Sequence, residues 1–89
     1  MALSENEKNG LNSLAFYQRM YIAKIFIDND PDYYGYPGAD EDREKIKTDA
    51  WMYQEKARVL MNELSAQGVP WSEINAALAK GDAEGRALY

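Results

Sequence analysis

The sequence predicts an all-α fold: an antiparallel hairpin of two long helices, a short third helix and a C-terminal turn, packed as a homodimer. Three observations carry that expectation. Apolar residues recur at helical spacing from Leu11 to Ile27, a heptad-like seam runs from Ile46 to Leu64, and a Pro/Gly-rich break separates the two. The 89 residues suffice for one domain, residues 1–89.

The first helix is expected over about residues 4–28. Ser4 and Glu7 form a Ser-x-x-Glu capping box, in which each side chain satisfies a backbone N–H at the helix start. Gly10 weakens the first turns by about 1 kcal/mol relative to Ala. Leu11, Leu14, Tyr21, Ile22 and Ile25 form one face, and Phe16, Met20, Ala23 and Ile27 a second. One neighbouring helix cannot cover a helix that is apolar nearly all round. Pro31 ends it by pushing its predecessor out of the α region.

Residues 29–39 read as a connecting loop with two prolines and two glycines. The next helix is expected over about 41–67, with Asp40 as its N-cap and Glu41 and Asp42 in the first turn, where the helix dipole favours anions. Ile46, Ala50, Tyr53, Ala57, Leu60 and Leu64 recur at alternating spacings of four and three, a coiled-coil-like seam. Gly68 suits the C′ position. Pro70 suits the first position of a third helix, expected over about 71–80 with Ile74, Ala77 and Leu78 on its buried side. Gly81 is expected to stop it, leaving a short C-terminal helix over 82–89 weakened by Gly85.

Composition excludes much chemistry. There is no Cys and no His, so thiolate nucleophiles, Cys/His zinc sites and a Ser-His-Asp triad are all ruled out. No Gly-rich phosphate loop or serine nucleophile elbow is present. The expectation is therefore no enzyme, no catalytic residue and no cofactor. Asp28, Asp30 and Asp32 alternate as in an EF-hand loop. However, that loop needs Gly sixth and Glu twelfth, where this chain has Tyr33 and Ala39, and no metal site is expected. The net charge of -5 argues against direct nucleic-acid binding. The opening residues have no apolar stretch behind a basic one, and Met20–Ile27 is too short to span a bilayer. A cytoplasmic location without membrane contact is expected, the host cytoplasm if the chain is phage-encoded.

The segment Gly68-Val-Pro-Trp-Ser-Glu-Ile-Asn-Ala-Ala-Leu78 resembles the first-loop and second-helix segment of ubiquitin-associated domains over eleven residues. The long preceding helix and the short C-terminal one depart from that family, and no function is carried over. As a helix-turn-helix, the same segment would present Lys80 as its lone cation and turn Glu73 towards phosphate.

The acidity is concentrated. Residues 28–44 hold seven acids (Asp28, Asp30, Asp32, Asp40, Glu41, Asp42 and Glu44) and one base, Arg43, a net of -6, whereas the rest of the chain carries a net of +1. Tyr33, Tyr34 and Tyr36 are interleaved with these carboxylates. Tyrosine buries area at low entropic cost while keeping a polar tip, so the segment suits docking on a Lys/Arg-rich surface; equally, it suits a solvated linker. Trp51 lies off the seam of the second helix and joins the partner-binding candidates. Met52, Val59 and Ala66 form a further apolar line, either covered by the third helix and Trp71 or available to a partner. Together with Met20, Ala23, Phe26 and Ile27, Met52 and Val59 are the candidate oligomer interface.

The function these features favour is a small acidic protein-interaction module. It would act as a binding inhibitor or regulator of a basic, nucleic-acid-handling partner, by analogy with phage anti-defence or anti-CRISPR inhibitors. Two alternatives are a structural subunit of a helical homo-oligomer and a small-ligand or metal binder using the Asp/Tyr loop.

Overall fold

The computed structural model describes residues 3–29, 35 and 37–88. It is all-helical, with α1 at Glu5–Asp28, α2 at Ala39–Ala66 and α3 at Trp71–Leu88. The capping box forms as the sequence indicates: the Glu7 N–H donates to Ser4 Oγ at 3.2 Å, and the Ser4 N–H donates to Glu7 Oε1 at 3.3 Å.

Two helix starts differ from expectation, α2 by two residues and α3 by one. Gly38, not Asp40, is the N-cap of α2; its φ of 84° lets the chain enter the helix at Ala39 and leaves Asp40 in the first turn. Likewise Pro70 precedes α3 instead of opening it. Its carbonyl accepts from the N–H groups of Glu73 at 3.0 Å and Ile74 at 3.2 Å. Between these helices Gly68, at φ 92°, makes a Schellman turn. The Gly68 N–H donates to the Ser65 carbonyl at 3.1 Å and the Val69 N–H to the Leu64 carbonyl at 3.0 Å. Val69 and Leu64, the apolar pair that accompanies such a turn, are both buried in the core.

The larger correction concerns α3. The helix does not stop at Gly81 but runs unbroken to Leu88. Local propensity disfavours both glycines in a helix, yet both are buried, because each lets α3 approach the backbone of α1. A Cβ at Gly81 would collide with the Ala15 carbonyl oxygen and sit 2.8 Å from Gln18 Cβ. At Gly85 it would sit 2.7 Å from the Arg19 carbonyl oxygen and 2.8 Å from Ile22 Cβ. With Ala77 one turn earlier, these residues form a seam of small side chains.

The contacts fix the topology. Gly10 faces Leu64, Lys24 pairs with Asp49 at 3.8 Å and Asp28 with Arg43 at 3.4 Å, so α2 runs antiparallel to α1. Gly81 lies against Ala15 and Gly85 against Arg19, so α3 runs parallel to α1, secured by the Arg19–Glu84 ion pair at 3.7 Å. Thus α1 lies between two helices that barely touch each other. This is why α1 is apolar nearly all round, and why α3 is a full-length packing partner and not a short unit across a hairpin.

The three helices share a core where α1 begins, α2 ends and α3 begins. Leu14, Leu64 and Ile74 are fully buried there, with Leu11, Leu60, Met61 and Leu78 packed around them. The seam of α2 is read correctly from its spacing: Ile46, Ala50, Ala57 and Leu64 are buried and Tyr53 and Leu60 half-buried. The molecule is long and thin, 54 × 21 × 17 Å, and the 28-residue α2, at about 1.5 Å per residue, spans about 42 Å.

Candidate protein-binding surfaces

Because α3 packs on α1, α2 has one neighbour along most of its length, meets α3 only near its C-terminal end, and keeps most of its circumference open. Two strips on it flank the buried seam on opposite sides, and helical phase decides their membership. Asp40, Glu44 and Trp51 share the first strip, at spacings of four and seven; Glu41, Met52 and Val59 share the second, at spacings of eleven and seven. The acids expected to act together are therefore divided. Asp40, Glu41, Asp42 and Glu44 are all exposed. Asp28 is committed to Arg43, which offsets the unfavourable placement of an acid at the C-terminus of α1.

Trp51 is 70% exposed, the most exposed large apolar side chain among the described residues. Beside it lies a groove of about 340 Å³ between α1 and α2, walled by Tyr21, Ile25, Ala50 and Gln54, with Asp28 and Lys47 at its rim. Gln54 Nε2 donates to the Tyr21 hydroxyl at 3.5 Å, linking the two walls. The groove continues past Trp51 towards Gln18, Arg58 and Leu78, where α2 and α3 fail to close over α1. An exposed indole beside an amphipathic groove, with Asp40 and Glu44 up the same strip, combines an anchoring side chain with steering charges.

The second strip is apolar. Met52 and Val59 are 41% and 46% exposed and border a groove of about 530 Å³ that α1 completes with Gly10, Ser13 and Tyr17. The expectation that α3 and Trp71 cover this side is not met, because α3 packs on α1 and Trp71 is itself half exposed. Phe16, Tyr17 and Tyr53 cluster at its edge with ring centroids 5.9–6.4 Å apart, and Lys56 lies 5.7 Å from the Tyr17 ring centre. Glu55 lies between the strips and is bound at 2.5 Å to Arg58, which stands seven residues after Trp51 on the first strip; this hydrogen bond holds the Glu55 carboxyl below its usual range.

The remaining expected interface residues, Met20, Ala23, Phe26 and Ile27, are half-buried on α1. Phe26 is taken up towards α3, where the Arg86 guanidinium lies 5.3 Å from its ring centre. Asp30, Asp32, Tyr33, Tyr34 and Tyr36 lie outside the described residues. Among the described residues no group of three or more acidic side chains is placed to hold a metal ion, and no helix is long and apolar enough to cross a membrane.

Periodicity alone did not reveal the Phe16–Tyr17–Tyr53 cluster, since it depends on the register between α1 and α2. The signal for the α1–α3 contact was present, in the four-residue spacing of Ala77, Gly81 and Gly85. No protein-family model matches the chain, and neither characterised proteins nor solved structures yield a match.

Proposed function

We infer that this protein is a small interaction module that binds a larger protein through the Trp51 strip of α2, with no catalytic chemistry of its own. The observation that supports this most is Trp51: a mostly exposed indole beside a groove, sharing a helix strip with Asp40 and Glu44. Such an anchor supplies affinity, while the carboxylates at the start of α2 attract a basic surface and speed encounter. Asp30, Asp32, Tyr33, Tyr34 and Tyr36 join the proposed surface on sequence grounds, with Glu41 and Asp42. A partner whose basic surface handles nucleic acid, blocked in the manner of phage-encoded inhibitors, is the narrower form of the proposal, with the cell cytoplasm as its setting.

The test uses the whole chain as bait. Wild type, Trp51→Ala and the double reversal Asp40→Lys/Glu44→Lys are immobilised at equal density and exposed to the same lysate. The proposal expects a protein with a basic surface that wild type retains and both variants lose. An identical retained set for all three baits overturns it.

A second reading, favoured by the exposure of Met52 and Val59, is self-association into a homodimer, either alongside partner binding or as the basis of a structural assembly.

A further inference from the structure

We propose that a second copy of this chain docks on the Met52–Val59 strip, with the two α2 helices antiparallel about a twofold axis at Val59 and Lys56 of each copy facing Glu63 of the other. This deepens, and rests on, the self-association reading. Met52, Val59 and Ala66 are exposed and seven residues apart, the spacing at which one helix presents a continuous seam to another. Beside them Gly10 and Ser13 leave α1 without bulk, so the groove has room for the side chains of an approaching helix.

Charge selects the occupant and its direction. Lys56 and Glu63 stand three residues before and four after Val59, both exposed on the groove wall. Seven residues separate them by about 10 Å along the axis, too far for a direct pair within one chain. Neither makes an ion pair among the described residues, and Lys56 is held beside the groove by the Tyr17 ring, 5.7 Å from its centre. A twofold axis makes every contact reciprocal: where residue i meets residue j, j also meets i. An antiparallel pairing about Val59 therefore gives Lys56 and Glu63 of each copy an ion-pair partner in the other, two Lys–Glu pairs in all. A parallel pairing, whose twofold axis runs along the seam, places the two copies of Lys56 on opposite flanks, and likewise the two copies of Glu63, so neither Lys–Glu pair forms. Apolar contact supplies the affinity, and the charges fix register and direction.

The test is a charge swap on the full chain, read by sedimentation equilibrium up to about 0.1 mM. Wild type is expected to be a dimer. Lys56→Glu and Glu63→Lys should each weaken it roughly tenfold or more, since each turns both symmetry-related pairs repulsive. The double swap Lys56→Glu/Glu63→Lys should restore it to within about twofold of wild type. Both positions are exposed, and far-UV circular dichroism checks that every variant remains helical. A wild-type dimer indifferent to the single reversals, or not rescued by the double swap, overturns this pairing and leaves self-association standing. A wild-type monomer across the range overturns both.

Discussion

Replacing Gly85 or Gly81 by Ala sets two effects of opposite sign against each other. Within a helix the change favours folding by about 1 kcal/mol through propensity alone. At Gly85, however, the new Cβ would lie 2.7 Å from the Arg19 carbonyl oxygen, about 0.7 Å short of the 3.4 Å at which ordinary contact begins. The obstacles are a helical carbonyl and a Cβ, neither of which can rotate away, so α1 and α3 must separate. Forced repacking of this kind costs about 1–3 kcal/mol. Gly81 is tighter still, because its Cβ would overlap the Ala15 carbonyl. The expected net result is a loss of about 1 kcal/mol at Gly85, about 2 kcal/mol at Gly81, and a larger loss in the double variant. Urea denaturation followed by far-UV circular dichroism reads it. Gly10→Ala is the internal control: its Cβ would meet the end of the Leu64 side chain, which can shift, so the propensity gain should nearly cancel the cost. If Gly81→Ala and Gly85→Ala both raise stability by about 1 kcal/mol, the glycines are not packed against α1 and the placement of α3 is wrong.

Leu64→Ala should cost about 2–5 kcal/mol, because the side chain is fully buried where all three helices meet; unchanged urea midpoints would mean the seam is misassigned. Ser4→Ala should cost about 1 kcal/mol and loosen the first turn of α1, seen as faster amide exchange at Glu7. Trp51→Ala should leave stability within about 0.5 kcal/mol of wild type, since the side chain is mostly exposed; a large loss of melting temperature would place the indole in the core and remove it from the binding surface.

The legible parts of the fold were those governed by contacts within one helix. The seam from Ile46 to Leu64 repeats at a spacing that only a buried helix stripe requires, and the Ser4–Glu7 box and the Gly68 turn are local devices with local signatures. The extent of α3 was not legible by the same rules, because Gly81 and Gly85 are helix-weakening residues whose value appears only when a second backbone lies against them. For the same reason the apolar surface of α1 shows in the sequence that it needs more than one neighbour, but not that α3 is that neighbour along its full length. The division of the acids between two strips follows from helical phase. What phase does not give is the groove beside Trp51, which also needs the antiparallel register set by Lys24–Asp49 and Asp28–Arg43.

The most direct test of binding through the Trp51 strip is a kinetic comparison on the partner that the wild-type bait retains, at low and physiological salt. Trp51→Ala should raise the dissociation rate by about tenfold or more and leave the association rate near wild type, because an anchoring side chain holds the complex once formed. Asp40→Lys/Glu44→Lys should slow association at low salt and flatten its salt dependence, because exposed charges act on encounter. Wild-type rates for both variants at both salt concentrations would contradict the account and leave the strip without a role in binding.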